Sequence, residues 1–90
     1  MIAHQTFYSG RVQGVGFRYS VQQIAAGYDV TGYVRNLDDG RVECWLQGDP
    51  SEVSAMEEAI ANSHLRGFIK ATEVRDVPPD PDAGPFRILR

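Results

Sequence analysis

The chain has 90 residues, one cysteine and a formal net charge of −3, with 42% hydrophobic and 23% charged residues. This length suits one domain with a single core, so we predict one domain over residues 1–90. The acidic balance argues against a general nucleic-acid binder, one cysteine excludes an internal disulfide framework, and no apolar stretch reaches the ~18 residues of a membrane span.

The first predicted strand covers residues 5–12, which include Phe7 and Tyr8. The next segment, Gly10–Ser20, reads GRVQGVGFRYS and contains three glycines. From Phe17 onward apolar residues recur with the spacing of one helix face. The sequence therefore predicts a strand, a tight glycine loop and then a helix.

Two strands joined by a hairpin are predicted next. Residues 30–37 read as the second strand, and the DDG at residues 38–40 is a strong hairpin signal because glycine tolerates a positive φ. Beyond the turn, apolar and less apolar residues alternate, which predicts a third strand with one buried face and one open face. The inward residues of this pattern are Val42, Cys44 and Leu46, and the outward residues are Glu43, Trp45 and Gln47.

A second helix and two further strands complete the prediction. The DPSE at residues 49–52 resembles a capped helix start, with an acceptor, a proline in the first turn and an acid three residues after the acceptor. Residues 68–77 predict a strand, and the four prolines within residues 78–85 predict a loop. Phe86 and Ile88 alternate in a short final strand.

The order of elements is β-α-β-β-α-β with a last short strand, which is the ferredoxin-like pattern. We therefore predict an α+β fold, a ferredoxin-like α/β sandwich in which two helices pack on one face of an antiparallel sheet. A chain of this length cannot cover both faces of the sheet with helices.

The glycine loop fits none of three common phosphate-site patterns. No lysine follows Gly14 or Gly16, as a nucleotide P-loop requires, and Tyr19 occupies the third glycine position of a dinucleotide fingerprint. A cysteine-phosphatase cradle would place its nucleophile six residues before Arg18, where this chain has Val12. The loop therefore lacks a nucleophile of its own.

The loop nevertheless has the physical properties of an anion site. Consecutive backbone N–H groups in a glycine turn form an anion-binding nest, and the following helix adds its positive N-terminal end. Arg18 adds a planar fork of donors that suits phosphate. The alternative is a plain strand-to-helix turn in which Arg18 is a solvated surface charge.

The segment GRVQGVGFR, followed by GYVRNLDDGRVE, strongly resembles the acylphosphatase family, and the resemblance extends to the terminal FRILR. It implies a ferredoxin-like fold and hydrolysis of acyl phosphates without a metal or cofactor. It also implies that Arg18 is catalytic and that Asn36 positions the attacking water. The implied phosphate-binding residues are Gln13, Gly14, Val15, Gly16, Phe17 and Arg18.

One segment departs from this family pattern. Many members have a glycine- and proline-rich stretch before the fourth strand, where this chain reads HLRGFIKATEV. The segment lies away from both motifs, so it affects the expected local loop shape more than the expected activity.

The implied chemistry explains the missing nucleophile. The carboxylate leaving group of an acyl phosphate has a pKa of roughly 4 in its acid form, so it departs without a general acid. Loose phosphoryl transfer needs mainly positioning and charge stabilisation, which the cradle, Arg18 and Asn36 would supply. A phosphate monoester has a far worse leaving group and should be a poor substrate.

Two alternative functions share this topology. An RNA-recognition sheet needs paired aromatic residues in its central strand, whereas residues 41–46 read RVECWL. A maturation-factor domain would keep the cradle and only bind an anion such as carbamoyl phosphate. In hydrogenase-maturation proteins such a domain opens a much longer chain, so the length of this one favours a free enzyme.

The expected partner is a small acyl phosphate, with no nucleic acid and no membrane. The N-terminus lacks a basic start followed by an apolar run, so we expect no signal peptide. For a chain of this size we expect a monomer, and its single cysteine makes a reducing cytoplasm the simplest location.

Overall fold

The computed structural model of the protein describes all residues from 1 to 90. The predicted order of strands and helices and the ferredoxin-like α+β class are confirmed. A short 3₁₀ helix, which the sequence did not predict, precedes the fourth strand. The elements are β1 (Ile2–Gly10), α1 (Phe17–Ala25), β2 (Val30–Asn36), β3 (Val42–Gly48), α2 (Pro50–Ala61), the 3₁₀ helix (His64–Phe68), β4 (Ile69–Val77) and β5 (Arg87–Leu89).

The five strands form one sheet in the order β4-β1-β3-β2-β5. Four of them are antiparallel to their neighbours, as predicted, whereas the short β5 adds to β2 in a parallel direction. Both β1 and β2 flank β3, and Val42 at the start of β3 pairs with Tyr8 on one side and with Asn36 on the other. The carboxyl ends of β1 and β2 therefore lie at the same edge of the sheet.

The hydrophobic core lies between one face of the sheet and the two helices. Helix α1 contributes Phe17, Val21 and Ala25 to the core, which confirms the apolar face predicted for this helix. Cys44 is fully buried, and burial raises the pKa of its thiol. Neither helix is long and apolar enough to cross a membrane.

The opposite face of the sheet is less open than the sequence predicted. Glu43 and Gln47 alternate with the core residues as expected, yet only 1% and 3% of their surfaces are exposed. Gln47 exchanges two hydrogen bonds with the backbone of Asp80, at 2.7 and 2.8 Å, which hold the proline-rich loop over this face. The prediction of an open face was wrong at these two positions because a loop and neighbouring side chains cover them.

Two local predictions also differ from the structure. Strand β1 begins at Ile2 and ends at Gly10, where the pairing with β4 is irregular and φ is +130°. Asp49 is the N-cap of α2, but its side chain makes no capping bond. Glu52 accepts a hydrogen bond from the N–H of Asp29 at 2.8 Å, so it fastens α2 to the start of β2 and closes no capping box.

Candidate active site

The predicted cradle is the loop between β1 and α1. Its glycines Gly14 and Gly16 have φ values of +77° and +76°, a left-handed conformation that favours glycine. Gly16 is also the N-cap of α1, and no side chain caps this helix. The first-turn N–H groups of a helix have no intrahelical partner, so this end of α1 is available to an anion.

The cradle opens into a cleft of about 200 Å³, which is smaller than the ~300–1,000 Å³ typical of small-molecule pockets. Arg18 and Asn36, which are 18 residues apart in the sequence, line the same cleft. Its wall contains two arginines and no acidic side chain, although the whole chain carries a charge of −3. The lining residues are Val12, Gly14, Gly16, Phe17, Arg18, Tyr19, Asn36, Ile88 and Arg90.

Two of the residues implied by the resemblance, Gln13 and Val15, do not line this cleft. The side chain of Gln13 leaves the cradle and donates to the backbone of the β2–β3 hairpin. Neither residue therefore contributes its side chain to the cleft.

Arg18 is half-buried on the first turn of α1, and its Nη1 donates to the carbonyl oxygen of Leu89 at 3.3 Å. This bond joins the guanidinium to the end of β5. The bond restricts the rotamers of the Arg18 side chain before an anion binds, so less conformational entropy is lost on binding. The other N–H donors of the planar fork remain available to the cleft.

Asn36 is the last residue of β2. Its Oδ1 is buried and has no hydrogen-bond partner within the protein. On the opposite face of the sheet, the preceding Arg35 forms an ion pair with the buried Glu43. An ion pair on one face of the sheet thus holds the end of β2, while the carboxamide oxygen of Asn36 has no hydrogen-bond partner.

Sequence reasoning missed Ile88 and Arg90, which complete the cleft from the C-terminal strand. The alternation of Phe86 and Ile88 predicted a strand but did not indicate which strand of the sheet it pairs with. The parallel pairing of β5 with β2 brings the end of β5 to the edge of the sheet where Asn36 lies.

The aromatic residues on the other face of the sheet are not arranged as an RNA-binding platform. Phe7 is only 9% exposed, because the guanidinium groups of Arg41 and Arg75 lie 4.6 and 5.1 Å from its ring centroid. Tyr33 and Trp45 stack on each other beside the proline-rich loop, with ring centroids 6.1 Å apart. Bases need free ring faces to stack on, so this arrangement disfavours the RNA-recognition alternative.

Comparison with known proteins shows that the sequence and the fold are similar to those of acylphosphatases. The acylphosphatase family model matches residues 4–88. An acylphosphatase from Roseiflexus sp. is 38% identical over 89 residues, which cover 99% of this chain and 96% of that relative. The crystal structure of acylphosphatase from Bacillus subtilis has a TM-score of 0.90 and 33% identity, and the match covers 100% of both chains.

A larger protein contains a similar domain. The crystal structure of HypF from T. kodakarensis has a TM-score of 0.86 and 30% identity. The match covers 100% of this chain but only 12% of HypF. The fold thus also occurs as a small part of a longer protein.

Proposed function

Since the chain belongs to the acylphosphatase family and has its acyl-phosphate hydrolase activity, we propose how its residues divide the reaction. The backbone N–H groups of residues 13–18 and the fork of Arg18 bind the phosphoryl group. Asn36 positions the attacking water. No metal or cofactor takes part.

Two observations carry this proposal: Asn36 lines the same cleft as Arg18, and its Oδ1 is buried without a hydrogen-bond partner. Leaving a buried acceptor without a hydrogen bond costs about 1–3 kcal/mol, so a water molecule is a favourable partner for this atom. A water molecule that donates to Oδ1 would have a lone pair free to point toward phosphorus. Holding the nucleophile in this way removes much of the entropic barrier to attack.

The charge of the transition state is spread over the three equatorial phosphoryl oxygens. Backbone N–H groups in the cradle and the guanidinium of Arg18 are fixed donors at those oxygens. The bond from Arg18 to the Leu89 carbonyl holds the fork before substrate arrives. The protein therefore meets the developing charge with donors that need little rearrangement.

The proton balance follows from the groups that line the cleft. As the bond from phosphorus to the water oxygen forms, the bond to the acyl oxygen breaks, and the products are a carboxylate and inorganic phosphate. The lining has no Asp, Glu or His side chain to act as a base, so the proton of the water passes to a phosphate oxygen of the substrate. The leaving carboxylate, with a pKa of roughly 4 in its acid form, needs no proton.

A monomer in a reducing cytoplasm is part of the proposal. Cys44 is a free thiol with 0% of its surface exposed, and burial raises its pKa. A buried thiol of this kind acts as a small hydrophobic residue and has no role in the chemistry.

The test is Asn36→Ala, with kcat, inhibition by inorganic phosphate and melting temperature measured on one preparation. We expect kcat to fall about a hundredfold, because positioning is lost, while phosphate inhibition changes little. A folded variant with undiminished kcat would remove Asn36 from the mechanism.

The wild-type enzyme supplies the matching control. In excess EDTA it should release phosphate from benzoyl phosphate and acetyl phosphate and only poorly from a phosphate monoester. Comparable rates on all three substrates would contradict the leaving-group argument, and loss of activity in EDTA that Mg²⁺ restores would contradict the metal-free route.

A further inference from the structure

The side chain of Gln13 joins the cradle to the hairpin that follows Asn36. Its Nε2 donates to the carbonyl oxygen of Leu37 at 2.8 Å and to that of Arg41 at 3.0 Å. Gln13 is half-buried, and 24 and 28 residues separate it from these acceptors in the sequence. A terminal amide has two N–H donors, and here both of them are used.

The two acceptor carbonyls also take part in the hairpin itself. The N–H of Leu37 donates to the Arg41 carbonyl at 2.8 Å, and the N–H of Gly40 donates to the Leu37 carbonyl at 3.2 Å. A carbonyl oxygen has two lone pairs, so each of these oxygens receives one bond from the hairpin and one from Gln13. The Gln13 amide thus closes the base of the hairpin and gives each of these two carbonyls a second hydrogen bond.

We propose that Gln13 is a positioning residue, which sets the distance and angle between the phosphate cradle and the water held by Asn36. Gln13 is the first residue of the cradle and Leu37 directly follows Asn36, so the tether joins the two parts of the site directly. The proposal rests on the role of Asn36 proposed above. It assigns the Gln13 side chain to alignment of the nucleophile, while its backbone belongs to the cradle.

A tether at this place has a specific energetic consequence. Misplacing a reacting group by about 1 Å can cost on the order of a hundredfold in rate. The cradle keeps its own glycines, its helix end and Arg18 when the Gln13 side chain is changed. Loss of the tether should therefore reduce the rate of attack on bound substrate and leave the grip on phosphate in place.

The test uses Gln13→Met, which keeps the length of the side chain and removes both donors. We expect kcat to fall about 10- to 100-fold, with phosphate inhibition changed less than about twofold. Gln13→Asn keeps the amide but is one methylene shorter, so it should show the same split between kcat and phosphate inhibition. The control is Gln23→Met on the exposed side of α1, which should leave kcat unchanged.

The double variant Asn36→Ala, Gln13→Met distinguishes positioning from a general structural effect. With no carboxamide left to position, Gln13→Met should lower kcat less than about twofold further. A full additional loss of kcat, or weakened phosphate inhibition in Gln13→Met alone, would overturn the proposal. If Asn36→Ala alone retained full kcat, the proposed role of Asn36 would fail first, and that result is distinguishable from additive losses.

Discussion

At the scale of single residues, Glu43 is the charged group that the fold buries most completely. Its carboxylate is 2% exposed and accepts hydrogen bonds from Gln5 at 2.7 Å, from Tyr33 at 2.9 Å and from Arg35. Burial alone would raise the pKa of Glu43, but these donors outweigh it and hold the pKa below its ordinary value. Burial and the bond to Glu43 in turn raise the pKa of Tyr33 to about 12.

The depressed pKa of Glu43 predicts an acid-sensitive contribution to stability. An ionised Glu43 stabilises the fold fully above its unfolded pKa of about 4.3, and the contribution is lost as pH falls through the lower folded-state pKa. Glu43→Gln should therefore lower the free energy of unfolding by about 1–3 kcal/mol at pH 7. The gap between variant and wild type should shrink as pH falls below about 4.3.

Urea unfolding of both proteins between pH 3 and pH 7 measures this gap. Glu58→Gln on the exposed face of α2 is the matched control, because Glu58 forms no ion pair or side-chain hydrogen bond. It should cost less than about 0.5 kcal/mol at every pH. A gap for Glu43→Gln that stayed constant down to pH 3 would contradict the assignment.

The role or direction of a single residue could be predicted from the sequence only where the residue belonged to a motif or to a periodic pattern. The two motifs pointed to Arg18 and Asn36, and the structure brings these residues into one cleft. The period-2 pattern gave the direction of Glu43 but not its burial, which depends on side chains from two other strands. The hydrogen bonds of the Gln13 side chain could not be predicted either, because their acceptors are backbone atoms of a turn that is distant in the sequence.

At the scale of elements, Gly32 shows how closely β2 and β3 approach each other. Its φ is +135°, and a Cβ built on it would lie only 1.8 Å from the backbone oxygen of Trp45. Gly32 pairs with Leu46, between the pairs that Thr31 and Tyr33 form with β3. A side chain at this position would push apart the strand that carries Asn36 and the strand that faces it.

Gly32→Ala should therefore be strongly destabilising. Backbone strain and overpacking each cost about 1–3 kcal/mol, so we expect a loss of at least about 2 kcal/mol in the free energy of unfolding. Gly67→Ala in the 3₁₀ helix is the control, because a Cβ there meets no atom within 4 Å and its φ is not positive. Chemical denaturation of both variants measures the difference, and equal midpoints would show that β2 can move away without cost.

Element types were predictable because helix and strand periods differ, whereas element ends depended on contacts between distant segments. The sequence placed the start of β1 three residues too late and its end two residues too late. The strand ends at Gly10, where a Cβ would lie 2.4 Å from the Phe68 oxygen. The 3₁₀ helix at His64–Phe68 falls in the segment that departs from the family pattern. Gly10 indicated a close approach of the backbone but not its partner, and the 3₁₀ helix begins at a local cap, where the Ser63 hydroxyl accepts from the N–H of Leu65 at 3.1 Å.

At the scale of the whole molecule, topology assembles the cleft from three separate parts of the chain. Strands β1 and β2 run in the same direction on either side of β3, and β5 runs parallel to β2. Their carboxyl ends therefore supply the cradle, Asn36 and the C-terminal residues to one edge of the sheet. The order of elements was enough to predict the fold class, but the place of β5 depended on a pairing that three residues cannot specify by themselves.

Because the cleft forms only in the folded chain, binding of inorganic phosphate should stabilise the whole domain. A ligand present at ten times its dissociation constant adds about 1.4 kcal/mol to the free energy of unfolding. For a domain of this size, that raises the melting temperature by about 5–10 °C. Arg18→Ala should lose most of this shift, because it removes the charged fork from the cleft, while Asn36→Ala should keep it. Thermal melts in phosphate, with chloride at matched ionic strength as the control, measure the shift for all three proteins. An equal shift in Arg18→Ala would place the phosphate elsewhere on the molecule.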